Sequence, residues 1–353
     1  MIVLYILLAI LVLMVMITIH ELGHYIAGKL LKFKIEEFSI GFGKAIYSKK
    51  MKSGELFSIR IIPLGGYCAF KDEDADGKDE NSFNSYACWK RIIVLLAGVT
   101  FNFLSAILFV IILLCVVGSG IVKINDVVAT NDNQLYLQKN DIILQVDGKT
   151  PTFLNGGIVG LMENKDVDDD IILKINRDGE IIDVTVHKYQ EYKKDEDGNY
   201  ILDENNEKIV AGKIIGIVSE YVPLGFGQAL LQCVPYTFNM GWETLKILGK
   251  LLTGGIGIES VGGPITTVKT IAVSTQANFK NLILLFPLLA VNLAVFNVLP
   301  IPALDGARVI FVLIEWIFRK PVPREIEGKI HTVGLFILFG LVILIDILHL
   351  LFF

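Results

Sequence analysis

The chain has 353 residues, of which 53% are hydrophobic and 20% charged, with a mean hydropathy of +0.58 and a net charge of −5. This composition is too apolar for one soluble globule, and no polybasic tract of the kind that binds nucleic acid is present. Residues 123–220 hold 11 basic and 20 acidic side chains, a net of −9 that leaves the rest of the chain at +4. The pattern predicts a membrane-embedded body with an acidic, water-soluble insert.

The first predicted element is a transmembrane helix over residues 1–31. Its first nineteen residues carry no charge and lead directly into His20, Glu21 and His24, which form an H-E-x-x-H motif. On a helix the two histidines lie one turn apart, about 6 Å along the axis, so both imidazoles can bind one metal ion. Glu21 is then placed to handle the proton of a metal-bound water. The alternative is two structural histidines at a helix end, but H-E-x-x-H on a helix is a zinc signature that chance would produce in only about a few of a thousand such chains.

A membrane-associated β-hairpin or small sheet is predicted over residues 35–70, where polar and apolar residues alternate. Gly41 and Gly43 would let another backbone approach closely, which suits a sheet edge that pairs with an extended peptide. An ordinary glycine turn explains the two glycines equally well. Residues 71–89 predict an acidic cytoplasmic loop.

A second transmembrane helix is predicted over residues 90–121, which continue after Lys90-Arg91 with 30 uncharged residues. The acidic insert, residues 122–220, contains short strand-like runs separated by Gly and Asp turns, which is typical of a mainly β domain. Residues 225–252 predict an amphipathic helix at the membrane interface. Residues 253–279 predict a glycine-rich loop.

A third transmembrane helix is predicted over residues 281–304, followed by a cytoplasmic segment over residues 305–328 and a fourth transmembrane helix over residues 330–353. Basic residues follow the first and third helices and precede the second. The positive-inside rule therefore places these ends in the cytoplasm and the acidic insert outside it. The prediction is a multi-pass protein of the cell membrane with its active site near the cytoplasmic side.

The third metal ligand can be argued from this topology. Asp305 lies at the cytoplasmic end of its helix, at the same depth as His20 and His24, whereas Asp346 and His349 lie at the far end of the fourth helix. We therefore expect Asp305 to complete the metal site and interpret Asp346 and His349 as polar groups at the interface. Two histidines and one aspartate suit a catalytic Zn²⁺, but they could also hold iron for oxygen chemistry.

The motifs together resemble the site-2 proteases, which are intramembrane zinc metalloproteases, and in particular the bacterial regulator-of-sigma-E protease type with a single PDZ domain. The strongest matches are His-Glu-Leu-Gly-His at 20–24 and the N-x-x-P-x-P-x-L-D-G pattern at 297–306. Gly-Phe-Gly at 41–43, Pro-Leu-Gly-Gly-Tyr at 63–67 and Gly-Gly-Pro-Ile at 262–265 also match in family order.

The resemblance implies Zn²⁺ on His20, His24 and Asp305, with Glu21 as the catalytic base. It further implies that Asn297, together with the sheet near Gly41 and Gly43, holds the substrate backbone. The implied fold is a polytopic α-helical membrane protein with four transmembrane helices, a membrane-associated β-sheet and an inserted, mainly β extracytoplasmic PDZ domain. The implied substrates are single-span membrane proteins in the lipid bilayer, such as anti-sigma factors or signal-peptide remnants.

Two departures from the family pattern weaken parts of this interpretation. Ala97-Gly98-Val99 replaces the usual Ala-Gly-Pro before Asn102, which leaves Asn102 only a weak predicted role. Lys139-Asn140-Asp141 replaces the usual Pro-Gly-Asp of the PDZ domain, so we consider a steric filter for substrates as an alternative to capture of peptide ends. A membrane metal transporter, a non-haem iron membrane oxygenase and a catalytically idle PDZ scaffold remain alternatives from the sequence.

Overall fold

The computed structural model describes residues 2–73, 79–128, 132–151, 156–167, 169–193, 200–203, 207–255, 257 and 262–352. The α-helices are α1 (Ile2–Leu30), α2 (Cys88–Val116), α3 (Gly157–Leu161), α4 (Phe226–Leu252), α5 (Pro264–Ala277), α6 (Lys280–Val298), α7 (Asp305–Phe318) and α8 (Arg324–Phe352). The strands are β1 (Ile35–Lys50), β2 (Leu56–Phe70), β3 (Val122–Val127), β4 (Ile142–Val146), β5 (Ile171–Arg177), β6 (Glu180–Val186), β7 (Tyr189–Tyr192), β8 (Val210–Ile214) and β9 (Ile217–Tyr221). Contacts divide the chain into two compact units, one of Met1–Val110 with Cys233–Phe353 and the other of Ile111–Gln232.

Four helices in the described part of the chain, α1, α2, α6 and α8, are long and apolar enough to cross a membrane. At 1.5 Å per residue, helices of 29 residues are about 44 Å long and the 19 residues of α6 cover about 28 Å, against a hydrocarbon core of about 30 Å. Large apolar side chains such as Leu4 and Phe336 project outward from these helices, where lipid is the favourable neighbour. The chain is therefore a multi-pass membrane protein.

Two of these helices, α2 and α6, end earlier than we predicted from the apolar runs in the sequence. The second was expected to reach residue 121, but α2 ends at Val116 because Gly118 and Gly120 take positive φ angles of 92° and 82°. The third was expected to reach residue 304, but α6 ends at Val298. Leu299 precedes a proline and takes an extended conformation with ψ 147°, as the residue before proline usually does.

The strands β1 and β2 form a bent hairpin rather than a simple two-stranded ribbon. Residues 35–40 of β1 lie opposite residues 66–70 of β2, and residues 45–50 lie opposite residues 56–60. Ser39 has a partner in each half of β2, Ser58 on one side and Tyr67 on the other. The sheet therefore has four segments, and residues 66–70 form one of its outer segments.

The hairpin packs on the C-terminal half of α1. Buried Phe33, Ile35 and Phe70 join Val94 of α2 and Val312 of α7 in one apolar cluster, so the hairpin, α2 and α7 share a core around the end of α1. The other end of α1 packs against α5 and α6 through a second cluster that includes Ala9, Val12 and Ile271. Helix α1 thus lies at the centre of this unit.

The prediction of a glycine-rich loop over residues 253–279 is wrong for the second half of this segment, which forms helix α5. The run after Pro264 is rich in β-branched Ile, Thr and Val, which lowers its apparent helix propensity. Tertiary contacts override that preference, because α5 buries Ile271 and Ala272 and begins with Pro264, whose missing N–H costs nothing at a helix start.

The first turn of α5 is held by a side chain from another helix. The carboxylate of Asp346 in α8 accepts hydrogen bonds from the backbone N–H of Ile265 and of Thr266, both at 3.0 Å, and from the Thr266 hydroxyl at 2.8 Å. Asp346 is buried within the protein, where it caps α5, and its predicted position at the membrane interface stays a prediction. It satisfies amide groups that every helix leaves unpaired at its N-terminus.

The segment predicted as cytoplasmic over residues 305–328 contains helix α7, which a buried ion network ties to its neighbours. Arg91 at the start of α2 is 1% exposed and contacts Glu315 of α7 at 2.5 Å. Arg324 at the start of α8 also contacts Glu315, at 2.8 Å. The first turns of α2 and α8 therefore meet the same face of α7.

The second unit, Ile111–Gln232, is mainly β. An antiparallel sheet with strand order β6-β5-β4-β3-β9 encloses an apolar core that includes Ile124, Ile143 and Leu173, and β7 pairs with β8 in a separate ribbon. The short helix α3 packs Ile158 into this core. Strand β9 is an edge of the sheet, and a groove between it and α3 is lined by Ile158, Met162 and Ile217 among other residues.

Candidate active site

Helix α1 brings both histidines of the H-E-x-x-H motif to one face. His20 and His24 are 6% and 7% exposed, and their Nε2 atoms lie 3.1 Å apart. Their rings meet edge to face, with 4.8 Å between the centroids. This is the one-turn spacing that the helical motif predicts.

Asp305 joins the two histidines from the start of α7. Its Oδ2 lies 2.9 Å from Nε2 of His20 and 3.2 Å from Nε2 of His24. The turn that delivers Asp305 depends on the next residue, because a Cβ on Gly306 would come within 2.3 Å of the Leu299 carbonyl oxygen. Ala303 in the same turn has a φ of 80°, and its N–H donates to Nδ1 of His331 at 3.0 Å.

The three side chains have the geometry of a metal site. In the described residues they are the one group of three or more His, Cys, Asp and Glu side chains whose ligand atoms lie close enough together, all within 4.8 Å, to hold an ion. Zinc bonds of about 2.0 Å in tetrahedral geometry place neighbouring ligand atoms about 3.3 Å apart. The contacts of 2.9 to 3.2 Å among His20, His24 and Asp305 are close to that spacing, so the donor set fits zinc.

Helix α2 forms the wall behind the two imidazoles. A Cβ on Gly98 would lie 2.4 Å from Nε2 of His24 and 2.7 Å from Cε1 of His20, so only glycine leaves room for both rings. Gly23 of α1 faces the Ala97 carbonyl oxygen equally closely, at 2.4 Å from its virtual Cβ. The two helices therefore approach at their glycines, and that approach brings α2 against the motif.

Both histidines have a partner on α2 at the nitrogen that faces away from the cluster. Nδ1 of His24 donates to the backbone carbonyl of Val94 at 2.8 Å. Nδ1 of His20 lies 3.1 Å from the amide nitrogen of Asn102, which is fully buried. Asn102 received only a weak predicted role from the sequence, and the structure places it in direct contact with a proposed ligand.

Glu21 lies beside the outer segment of the hairpin. Its carboxylate lies near the backbone N–H of Cys68, and a Cβ on Gly66 would lie 3.5 Å from its Cγ. The carboxylate thus lies between the histidines and the outer segment of β2. The motif Pro63–Tyr67 was the signal in the sequence that could have indicated this segment.

The two glycines predicted to bind substrate, Gly41 and Gly43, lie at the bend of β1 and not in the segment of β2 that contacts Glu21. Gly41 and Gly43 have φ angles of 87° and 83°, and a Cβ on Gly41 would come within 2.7 Å of the Ile62 carbonyl oxygen. They allow β1 to bend between its two halves. The segment that contacts Glu21 contains Gly66 and Cys68.

Asn297 lies in the last turn of α6, where its amide nitrogen donates to the Leu293 carbonyl of the same helix at 3.0 Å. This bond occupies one of its donors and leaves its carbonyl oxygen for other partners. Asn297 lies eight residues before Asp305, on the other side of the Pro300-Ile301-Pro302 turn, and within the described part of the chain it makes no hydrogen bond to the metal-binding cluster.

The loop of the hairpin is anchored to α1 through Glu55. One oxygen of this buried carboxylate accepts hydrogen bonds from Lys29 at 2.7 Å, from Tyr25 at 2.8 Å and from Ser53 at 2.9 Å. Burial raises the pKa of Glu55, but these bonds outweigh burial and lower its pKa to about 2. The anchor is charged at neutral pH and holds the hairpin near the motif helix.

The candidate membrane helix α1 carries two buried imidazoles and a neighbouring glutamate, and α7 adds one carboxylate. This set of groups defines a metallohydrolase of a membrane protein. Comparison with known proteins gives the family. The profile of Peptidase family M50 matches residues 8–341. The chain belongs to this family, which confirms the resemblance to site-2 proteases, and it is a membrane zinc metalloprotease.

Full-length relatives agree with this assignment. A protein of Clostridium perfringens is 31% identical over 350 residues, covering 99% of each chain, and one of Fusobacterium nucleatum is 30% identical over 349 residues, covering 97% of each. A protein of Campylobacter jejuni is 30% identical and covers 95% of this chain and 90% of its own. All three carry the provisional name of zinc metalloprotease. These findings favour peptide hydrolysis over the transporter, the iron oxygenase and the idle scaffold.

Proposed function

We propose that this protein cleaves peptide bonds within or near the transmembrane segments of single-span membrane proteins, with zinc on His20, His24 and Asp305. The observation that carries the proposal is the convergence of these three side chains, from α1 and α7, at 2.9 to 3.2 Å. When bound, zinc supplies a Lewis acid that polarises a peptide carbonyl and lowers the pKa of its water.

Glu21 is the catalytic base in this proposal. It takes the proton of the attacking water and returns it to the nitrogen of the departing amine, as a general base and then a general acid. The carboxylate lies beside both histidines and near the backbone N–H of Cys68, so little motion is needed before proton transfer.

The outer segment of the hairpin, residues 66–70, is the substrate-binding strand in this proposal. A transmembrane helix hides its amides in intrahelical hydrogen bonds, so it must unwind before a carbonyl can reach the zinc. Pairing with an exposed strand edge replaces the lost bonds. Residues 66–70 have β1 on one side and Glu21 on the other, which aligns an added strand with the base.

Segments with helix-breaking residues are the favoured substrates, because they unwind at lower cost. Anti-sigma factors and signal-peptide remnants are single-span proteins or peptides of this kind, and we propose regulated intramembrane proteolysis as the setting. Asn297, with its amide oxygen available beyond its helix bond, is a proposed contact to the substrate backbone.

We also propose that the second unit is a PDZ-like extracytoplasmic domain that filters substrates by size. Its net charge of −9 over residues 123–220 disfavours the cytoplasmic face with its anionic lipids. The edge strand β9 and the adjoining groove are features on which a peptide could pair. The first turns of α2 and α8 both contact Glu315. This shared contact supports a position of both helix starts on one side of the membrane, as the basic residues predict.

The test combines metal analysis with cleavage of a defined substrate. Purified protein in detergent is given a fluorescent single-span substrate, and zinc per chain is measured on the same preparations. We expect one zinc per chain and cleavage inside the span for the wild type, and loss of both for His20→Asn and Asp305→Asn. Glu36→Gln, which changes an exposed carboxylate of β1, is the matched control and should retain both. Cleavage by zinc-free Asp305→Asn at the wild-type rate would contradict the proposal.

A further inference from the structure

The two proposed zinc-binding histidines are supported from α2 by different chemical groups. His24 faces the Val94 carbonyl at 2.8 Å, and a carbonyl oxygen only accepts hydrogen bonds. His24 therefore carries a proton on Nδ1, which leaves Nε2, facing Asp305, as the nitrogen that can bind a metal. This is the tautomer that a metal bound at Nε2 requires.

His20 also needs its proton on Nδ1 to bind a metal through Nε2, but its partner is an amide, which can either donate or accept a hydrogen bond. Its Nε2 faces Asp305 at 2.9 Å, so metal binding at Nε2 leaves the proton on Nδ1, and Nδ1 then needs an acceptor. The group at 3.1 Å is the Nδ2 donor of Asn102, so with this amide orientation two donors would face each other. A half-turn of the amide exchanges its two ends and presents Oδ1 to the imidazole at the same place.

The surroundings of Asn102 support this orientation. The residue is 0% exposed, and its Oδ1 is a buried oxygen without a hydrogen-bond partner among the described residues. An unpaired oxygen in such a place is costly, and the Nδ1–H of a metal-bound His20 is a donor already within reach. The imidazole of His20 lies against Gly98, which is on α2 like Asn102. This contact restricts rotation of the ring towards another partner.

We propose that Asn102 is a positioning residue that accepts a hydrogen bond from Nδ1–H of His20 and so fixes His20 in its zinc-binding tautomer. The inference rests on the proposed function, because it takes His20 as a zinc ligand through Nε2. Asn102 does not contact the zinc or the substrate. It acts through the orientation of His20, as partners of metal-bound histidines commonly do.

The experiment measures zinc affinity by competition with a chromophoric chelator in the detergent-solubilised full chain. We expect Asn102→Leu, which has similar volume and no acceptor, to raise the zinc dissociation constant by about 10- to 100-fold. Asn102→Asp keeps an acceptor and should restore the affinity to near the wild-type value. Thr100→Val, on the lipid-facing side of the same helix, is the matched control and should change nothing. After cobalt substitution, the Asn102→Leu variant should show altered visible absorption bands and the Asn102→Asp variant should show those of the wild type.

Three results would overturn the inference: full zinc affinity in Asn102→Leu, equal losses in the Leu and Asp variants, or an equal loss in Thr100→Val. Equal losses in Leu and Asp would mean that the amide acts as a donor or through packing. If the Leu variant does not fold, Asn102→Ala removes the same acceptor and is compared with Asp in its place. Failure of the proposed function gives a different pattern, in which wild type and His20→Asn bind zinc equally well or not at all.

Discussion

Oδ2 of Asp305 lies 2.9 Å from Nε2 of His20, although 285 positions separate the two residues in the chain. The contact joins the two motifs that the sequence singles out, one on α1 and the other at the start of α7. It depends on the tight turn at Gly306 and on the approach of α2 at Gly98. Its consequences can be tested at residues that are not themselves ligands.

Gly98→Ala should weaken zinc binding. The new methyl group would lie within 2.8 Å of ring atoms of both His20 and His24, so one ring or the whole helix must shift. We expect the zinc dissociation constant to rise at least about tenfold, with a matching fall in cleavage rate. Gly340→Ala in α8, where nothing lies within 4 Å of the added carbon, is the control and should bind zinc normally.

Glu55→Gln should loosen the hairpin in a pH-dependent way. The pKa of Glu55 is lowered from 4.5 to about 2, so its contribution to stability is complete above about pH 4.5 and is lost as the pH falls towards 2. We expect the variant to melt at a lower temperature than the wild type at pH 7, with a gap that narrows between pH 4.5 and 2. Thermal melting in detergent across this range is the measurement. A gap that stays constant with pH would show that the charge of Glu55 is not the cause.

Asp346→Asn should expose the first turn of α5. The carboxylate accepts three hydrogen bonds from Ile265 and Thr266, and an amide can replace only one of its two oxygens. We expect the free energy of unfolding to fall by about 1 kcal/mol, the usual effect of losing a helix N-cap. Hydrogen exchange in residues 264–268 should become faster. Thr332→Val, an exposed position of the same helix, should leave the exchange unchanged. Unaltered exchange in Asp346→Asn would contradict the assigned capping role.

Removal of residues 123–220 should broaden substrate choice if the second unit is a size filter. Val122 and Tyr221 are paired across β3 and β9, so a short linker can close the deletion without separating its ends. We expect the shortened protein to cleave single-span substrates that keep a folded extracytoplasmic domain, which the full chain should reject. Truncated substrates should be cleaved by both. Identical substrate choice would argue against a filter.

Much of the membrane unit could be predicted from hydropathy and motif spacing. Four apolar helices follow from the long uncharged runs, and the pairing of Asp305 with His20 and His24 follows from placing charged flanks on one membrane side. Both inferences use properties that are local in the chain. The lengths of α2 and α6 were overestimated because apolar runs continue past the glycines and prolines that end the helices.

The remaining features depend on contacts between distant residues. Helix α5 is rich in β-branched residues and is recognised as a helix only once Asp346 and the surface of α1 are in place. The position of residues 66–70 beside Glu21 depends on how the hairpin bends at Gly41 and Gly43. The contact of Asn102 with His20 follows from the crossing of two helices, which no local pattern specifies.

The role of Glu21 as the base of a zinc protease is tested by cleavage of a single-span substrate by Glu21→Gln alongside the wild type, with zinc measured in both. Glutamine preserves the size of the side chain but cannot accept the proton of the attacking water. We expect one zinc per chain in both proteins and a cleavage rate at least about 100-fold lower in the variant, the usual contribution of a general base. Cleavage by the zinc-loaded variant at the wild-type rate would contradict this role of Glu21.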